Sequence, residues 1–369
     1  MLAENMNFKI PRSEYKGDLA DYPLENYPDY EPGCPPRFEK LAEIGHLEEE
    51  ERVWGQKWGE QGIGRLREIA LVKPTEYEIQ PLFKKDPTFF MLRHHLMTGS
   101  KLSIEALQHQ HEDYAKLMEE NGVKVRYMEF EDHWGAYGPL RKPYVAARLG
   151  TAVRGGVIIK RWGHGSWSRG LERHAMKFFL SINCPILLYP AGKAIFEGTM
   201  VFPAENVAIG HYGLACNREA MEQVNPVLKA AGFEEVVMGH SSTVMDSYSG
   251  GGYYHSDLIM SIVDLGLALV VPSQLDWDVY MWLKEHKYKL IEVPPEELLS
   301  CVAVNGMSLG DRKIVMPKAA VKTNALLRKE GVDVIELDTS GLHGLMMGGL
   351  RCMTMRLYRE PGPRLEELK

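Results

Sequence analysis

The sequence has no apolar segment long enough to cross a bilayer and no cluster of basic residues. Its longest apolar stretch, Leu258 to Pro272, is interrupted by Asp264 and is shorter than the roughly 20 residues that a membrane span needs. The formal net charge is −7, which disfavours a nucleic-acid backbone or an anionic membrane as the main partner. We therefore expect neither nucleic acid nor a membrane as a partner.

The chain also lacks the features of a secreted, disulfide-bonded protein. Its start, Met1-Leu2-Ala3-Glu4-Asn5, has neither a basic region nor an apolar core, so we expect no secretory signal. The five cysteines are odd in number and scattered, with no Cys-x-x-Cys, which predicts free thiols and a cytoplasmic location. No histidine or aspartate cluster follows metal-binding spacing, so we predict no metal and no cofactor.

The first 60 residues differ in composition from the rest. Proline and tyrosine recur there among acidic residues, as in Tyr22-Pro23 and Tyr27-Pro28, and such sequence cannot form a core by itself. We predict an N-terminal extension over residues 1–60, an arm that is mobile or drapes over its own or a neighbouring subunit and could support a homo-oligomer. Residues 61–369 are predicted to form one catalytic domain.

From Leu66 onward one pattern occurs five times: an apolar strand, an amphipathic helix and a returning strand. The first strands are predicted at Leu66–Val72, Val157–Lys160, Val207–Gly210, Leu267–Val271 and Lys313–Met316. The helices are predicted at Leu102–Asn121, Ser168–Ile182, Arg218–Ala231, Trp277–His286 and Ala319–Glu330. The returning strands are predicted at Val123–Met128, Pro185–Tyr189, Phe233–Met238, Lys289–Val293 and Val332–Leu337. Glycines at 122, 232 and 331 end three of the helices and suit left-handed caps.

Five copies fit either an open solenoid or a closed five-bladed ring. In a ring, an extra strand after each unit would line the centre. The candidates for this strand are Ile195–Phe202, His255–Val263, Ser300–Val304 and Cys352–Leu357. Residues far apart in sequence would then meet at one axis.

The chemically informative residues lie in these candidate strands. Glycines at 348 and 349 lead to Cys352 at the start of an apolar run, an arrangement that displays a nucleophile. His255 and Asp257, two residues apart, would share one strand face, and Glu197 adds a second carboxylate beside Gly198. A thiol nucleophile needs a proton shuttle and an anion that orients it. The alternative is that each residue is an ordinary buried core residue.

Together these features resemble the pentein superfamily of guanidino-group-modifying enzymes. The evidence for the resemblance is the fivefold repeat, the Glu197-Gly198 stretch, the His255-x-Asp257 pair and the terminal run from Gly348 to Met355. The superfamily includes arginine deiminases, dimethylarginine dimethylaminohydrolases and glycine amidinotransferases. The resemblance implies an α/β fold in which five strand-helix-strand blades surround a pseudo-fivefold axis.

By this resemblance, Cys352 would be the nucleophile, His255 the general acid and base, and Glu197 the carboxylate that orients it. Asp257 would hold the planar group of the substrate, and Arg169 with Glu172 resembles the Arg-x-x-Glu helix start of the family. The thiolate would add to an sp2 carbon and leave a covalent intermediate, which water or an amine then resolves.

Departures from the family pattern bear on the substrate. Leu149 stands where the family has a second substrate-binding acid, unless Glu131 or Asp132 supplies it, and Met200 falls in the Glu-Gly-Gly-Asp stretch. Losing a two-point carboxylate contact would forfeit several kcal/mol, since each charged hydrogen bond is worth about 1.5–3 kcal/mol. We therefore predict a small-molecule substrate other than free arginine, with Leu149 and Met200 facing the site.

Several functions remain open from the sequence. The first is a cysteine-dependent hydrolase that attacks a planar C=N or C=O carbon. The alternatives are an amidinotransferase that moves an amidino group to an amine acceptor, a hydrolase that opens a cyclic carbonyl compound, and a non-catalytic binding scaffold.

Overall fold

The chain divides into two units, Met1–Val53 and Trp54–Lys369. This computed structural model describes residues 16–18, 21, 23, 32–33, 43–74, 104–129, 134–135, 138–139, 149–163, 170–198, 200–241, 255–341 and 349–368. The described part of the first unit includes most of helix α1, His46–Trp54, whose first turn is acidic. Across these residues, no helix has both the length and the apolarity of a membrane span. The arm-like role of residues 1–60 stays a prediction.

The described residues of the second unit form five three-stranded sheets of one design, together with one short hairpin. A first strand runs antiparallel to a middle strand, and the middle strand runs parallel to an outer strand that follows it after a helix. In chain order the strands are β1 Leu66–Leu71, β2 Lys124–Tyr127, the hairpin β3 Trp134–Gly135 and β4 Gly138–Pro139, β5 Gly150–Val153, β6 Gly156–Ile159, β7 Ile186–Leu188, β8 Val201–Ala204, β9 Val207–Tyr212, β10 Glu235–His240, β11 Met260–Asp264, β12 Leu267–Val270, β13 Lys289–Glu292, β14 Met307–Gly310, β15 Lys313–Pro317, β16 Asp333–Leu337 and β17 Met355–Arg359. The remaining helices are α2 Ile104–Glu120, α3 Leu171–Ser181, α4 Arg218–Ala230, α5 Ser256–Ile259, α6 Trp277–Glu285, α7 Pro295–Cys301 and α8 Val321–Lys329.

The C-terminal strand closes the ring. Strand β17 pairs antiparallel with β1, so that Leu66 lies opposite Arg359 and Ala70 opposite Met355. The sheet that begins near residue 66 is therefore completed almost 300 residues later, by the end of the chain. The first sheet thus has the order β17-β1-β2, and the other four are β5-β6-β7, β8-β9-β10, β11-β12-β13 and β14-β15-β16.

Five hydrophobic clusters hold neighbouring sheets together. One cluster joins the first and second sheets, and the others join the second to the third, the third to the fourth, the fourth to the fifth, and the fifth back to the first. In the last of these, Leu66 and Ile69 pack in one cluster with Met307 and Val315. Because each of the five sheets packs against two neighbouring sheets in this way, the fold is a closed ring of five α/β blades. The predicted fold class is confirmed, and the open solenoid is wrong.

The predicted strand-helix-strand repeat is present in all five blades. The middle strands are predictable because they are continuous apolar runs; β6 and β12, for example, are buried along their whole length. The three predicted glycine caps also occur, with φ of 76° at Gly122, 93° at Gly232 and 75° at Gly331. These positive angles are costly for other residues, which explains glycine at each helix end.

The predictions for the central strands were wrong in detail. Each of these strands joins the sheet of the unit that follows it, and the fifth, β5, was not predicted. Residues Pro295–Cys301, which overlap the predicted strand Ser300–Val304, form helix α7, and the strand begins at Met307. His255 and Asp257 do not share a strand face, because Ser256–Ile259 is a single helical turn. Likewise Cys352 lies in a turn ahead of β17.

Candidate active site

The candidate site forms where the first strands of the five blades begin. Glu197 precedes β8, His255 and Asp257 precede β11, and Cys352 precedes β17. Asn305 precedes β14 and Leu149 precedes β5 in the same way. Equivalent strand ends meet at one end of a ring, and backbone outside the strands is free to aim side chains at the axis. This repetition explains how residues from four blades come together.

Glu197 and His255 form a buried pair. The Oε2 atom of Glu197 lies 3.0 Å from Nε2 of His255, and the two residues are 0% and 4% exposed. The second oxygen, Oε1, accepts a hydrogen bond of 3.1 Å from the backbone N–H of Gly163, and the Glu197 N–H donates to Ala215 O at 2.8 Å. Glu197 is therefore fixed from both sides and is placed to orient the imidazole.

Cys352 and Asp257 form the second pair. The Sγ atom of Cys352 donates a hydrogen bond to Oδ2 of Asp257 at 3.7 Å, within the range for sulfur. The same oxygen lies 3.8 Å from Nη1 of Arg351. The other oxygen, Oδ1, is buried and has no hydrogen-bond partner among the residues that the structure describes. A buried acceptor without a partner costs about 1–3 kcal/mol, so Oδ1 is available to accept from a bound molecule.

Asn305 connects these two residues through its side chain. Its Oδ1 accepts from the backbone N–H of Cys352 at 2.9 Å, and its Nδ2 donates to the backbone oxygen of Asp257 at 2.7 Å. Asn305 is fully buried. Gly349 lies directly against it, since a Cβ on Gly349 would come within 2.6 Å of the Asn305 Cβ. Close packing of this kind keeps the cysteine turn in one position.

Positive charges surround the Asp257 carboxylate. Burial raises the pKa of Asp257, but the charges of Arg351, His255, Arg356 and Lys160 outweigh it, and the net pKa lies below the ordinary value. Burial also lowers the pKa of Arg351, and the neighbouring Arg356 lowers it further. Asp257 is therefore ionised at neutral pH and accepts hydrogen bonds only.

A buried ion pair supports the turn that carries Cys352. Arg356 donates to both oxygens of Glu60, and these residues are 6% and 3% exposed. Its Nη1 atom also donates to the backbone oxygens of Arg351 and Thr354, each at 3.1 Å. One guanidinium thus holds the chain on both sides of Cys352.

Two other predicted residues, Leu149 and Met200, pack in hydrophobic clusters. Leu149 is 1% exposed and lies in the hydrophobic cluster that includes Phe179 and Met355, which favours a packing role. The Met200 side chain packs against Gly210 and Met238, while its backbone oxygen accepts from Arg351 Nη2 at 3.1 Å. Arg169, Glu131 and Asp132 lie outside the described residues, so a role for them in substrate binding stays a prediction.

Sequence reasoning missed three residues of the site. Asn305 could have been found from the repeat, because it occupies the position in its blade that Glu197 and Cys352 occupy in theirs. Arg351 lies in the terminal run from Gly348 to Met355, but the sequence alone assigns it no role. Lys160 was recognised only as the end of a predicted strand, although a charged residue at the end of a buried apolar run is itself a signal.

Comparison with known proteins agrees with this fold. A model of the arginine deiminase family matches residues 271–359. A protein named 2-nitroimidazole nitrohydrolase, from Mycobacterium sp. (strain JS330), is 30% identical over 367 residues, which cover 95% of each chain. An uncharacterized protein from Aeropyrum pernix is 24% identical over 70% of this chain and 87% of its own.

Two solved structures illustrate the shared fold. An amidinotransferase of saxitoxin biosynthesis from Microseira wollei has a TM-score of 0.61 at 12% identity, covering 83% of this chain and 99% of its own. Dimethylarginine dimethylaminohydrolase from Pseudomonas aeruginosa has a TM-score of 0.60 at 17% identity, covering 79% and 99%. The two structures share the fold, and the nitrohydrolase relative matches this chain nearly end to end. This chain therefore belongs to the pentein superfamily and is an enzyme of its hydrolase or amidinotransferase type.

Proposed function

We propose that this protein uses Cys352 to hydrolyse a small, planar, uncharged nitrogen heterocycle at an sp2 carbon that carries a leaving group. The nitro-substituted imidazoles are the class to test first. The observation that carries the proposal is the full-length similarity to the 2-nitroimidazole nitrohydrolase, together with the buried Oδ1 of Asp257, for which no partner is described. A ring N–H of the substrate would donate to that oxygen.

The hydrogen bond between Glu197 and His255, which orients the imidazole, supports a two-step reaction. His255, oriented by Glu197, takes the proton of the Cys352 thiol, and the sulfur bonds to the electron-poor ring carbon. The bond between that carbon and the nitro group breaks with its electron pair, and nitrite leaves. Water then adds to the same carbon with His255 as general base, the C–S bond breaks, and the thiolate returns. The ring keeps the water oxygen, one proton is released, and no oxidant or reductant is needed.

The charges of the site support a neutral substrate. Glu197 is occupied by His255 and Gly163, and Asp257 already faces Arg351. A guanidinium ion would bring a further positive charge beside Arg351 and Lys160, which disfavours it. A neutral nitroimidazole needs one hydrogen-bond acceptor for its ring N–H, and it brings no positive charge.

The test is nitrite release from 2-nitroimidazole, measured colorimetrically on purified protein. We expect turnover by the native protein and none by Cys352→Ala. Cys301→Ala is the matched control, because Cys301 is also a buried free thiol but lies in a different hydrophobic cluster, and it should keep full activity. Full activity of Cys352→Ala would overturn the covalent route. Product that forms only when an amine acceptor is added would instead indicate group transfer.

A further inference from the structure

Lys160 is a buried lysine that the reaction outlined above does not use. It follows strand β6, is 4% exposed, and its backbone N–H donates to Leu149 O at 3.3 Å. A lysine is rarely buried to this degree unless its charge is paired, because a buried charge loses its hydration.

The side chain of Lys160 runs across the segment that carries Glu197. A Cβ on Gly198 would lie 2.5 Å from Cε of Lys160 and 2.2 Å from Oγ1 of Thr151. Gly198 has a φ of 60°, and the Thr151 hydroxyl donates to its backbone oxygen at 2.9 Å. Position 198 therefore leaves room for the lysine to pass beside the orienting carboxylate.

The charged groups that act most strongly on Lys160 belong to the candidate site or its support. They are Asp257, Arg356, Glu60 and Glu197. Burial lowers the pKa of Lys160 most, and the net value is about 7. At neutral pH the amine is therefore divided between its charged and uncharged forms, so that it can donate or accept a proton.

We propose that the ammonium group of Lys160 binds the negative charge that develops on the leaving group of the substrate. This inference rests on the proposed function. When the bond between the ring carbon and the nitro group breaks, its electron pair passes to the nitro group. Negative charge then builds up on the nitro oxygens, and a buried cation stabilises it far more than water does. Nitrite then departs as an anion held by Lys160. The same charge, together with that of Arg351, repels guanidinium substrates, so Lys160 contributes to the specificity of the site.

The experiment compares Lys160→Met, which removes the charge at similar volume, with Lys160→Arg, which keeps it. With 2-nitroimidazole, we expect Lys160→Met to lower kcat at least 100-fold and to change KM less than fivefold. Nitrite added as a product inhibitor should lose its effect on this variant. The exposed Lys229→Met is the control. Unchanged kcat and unchanged nitrite inhibition in a folded Lys160→Met protein would overturn the proposal.

The pH dependence of kcat distinguishes this role of Lys160 from a purely structural one. In the native protein, kcat should fall as pH rises through about 7, because Lys160 loses its proton there. Lys160→Arg stays charged, so this alkaline limb should move upward by more than one pH unit. A limb at the same pH in both proteins would contradict the assignment.

Labelling of Cys352 separates this inference from the proposed function. Chloroacetamidine is cationic and iodoacetamide is neutral, and neither requires turnover. Removing the Lys160 charge should raise the rate with chloroacetamidine relative to iodoacetamide at least tenfold. An unchanged ratio would reject the charge role of Lys160 even if the native protein releases nitrite, whereas a changed ratio without nitrite release would reject only the substrate.

Discussion

The side-chain oxygen of Asn305 accepts a hydrogen bond from the backbone N–H of Cys352 at 2.9 Å. The same side chain donates to the backbone of Asp257 at 2.7 Å, so one amide sets the position of the proposed nucleophile relative to the carboxylate. These residues come from three different blades. Their relative position therefore depends on the ring and on no local segment.

Asn305→Ala should lower both stability and turnover. Leaving buried backbone groups without partners costs about 1–3 kcal/mol, and the cysteine turn loses its link to Asp257, so we expect kcat to fall at least tenfold. Urea unfolding and nitrite release measure the two effects. Asn324→Ala is the matched control, because Asn324 is equally buried but bonds to Pro317 and Glu336. It should lose stability without losing turnover per folded molecule.

Glu197→Gln should lower kcat by about 10²–10⁴-fold, the usual contribution of a positioned acid or base. The amide has nearly the shape of the carboxylate but no charge to hold the His255 imidazole. Steady-state kinetics will measure the loss, with KM expected to change little. Glu297→Gln is the control, since Glu297 is a buried carboxylate that accepts bonds from Lys322 and Thr323. Equal losses in the two variants would point to a folding defect.

Glu60→Gln should destabilise the protein by about 3–5 kcal/mol, because it leaves the buried charge of Arg356 without its partner. The double variant Glu60→Met with Arg356→Met should recover much of this loss in chemical denaturation. It should not recover turnover, since Arg356 also bonds the backbone of the cysteine turn at Arg351 and Thr354. A double variant with native activity would show that the turn needs no such support.

Acid should destabilise the fold through its buried histidines. Burial lowers the pKa of His211 and of His111 to about 4, whereas both titrate near 6.5 in the unfolded chain. As pH falls from 6.5 to 4, these histidines bind protons in the unfolded chain but stay neutral in the folded chain. The free energy of unfolding therefore decreases, by at most about 3 kcal/mol per histidine. His211→Asn keeps a polar atom near Ser256, whose Oγ lies 2.8 Å from the His211 ring.

Urea midpoints at pH 7, 5.5 and 4.5 will test this effect. His211→Asn should show a smaller decrease across this range than the native protein, and replacement of the exposed His109 by Gln should leave the decrease unchanged. An identical pH dependence in His211→Asn would show that this histidine does not contribute.

The repeat could be predicted from the sequence because its signals are local. Apolar runs, amphipathic helices and glycine caps place the strand-helix-strand units close to where they occur. The first strands of the blades are harder to predict, because the segments before them are irregular. Pro295 with Glu296 and Glu297 starts helix α7 in a way that the sequence does signal, yet Ser300–Val304 was interpreted as a strand.

The candidate site was partly predictable for the same reason. Four of the predicted residues have side chains suited to catalysis and lie beside a glycine or a turn: Glu197, His255, Asp257 and Cys352. Asn305 and Lys160 carry weaker sequence signals, and their contacts with residues dozens of positions away are what relate them to the site. Leu149 and Met200 were interpreted as facing the substrate, but side-chain direction depends on packing between blades, which composition does not specify.

The pairing of β17 with β1 has a consequence for the folding of the protein. These two strands lie almost 300 residues apart in the sequence, so their pairing closes a long loop at a high cost in conformational entropy. The turn with Cys352 lies directly ahead of β17. The proposed nucleophile therefore reaches its partners only in molecules whose first sheet is complete.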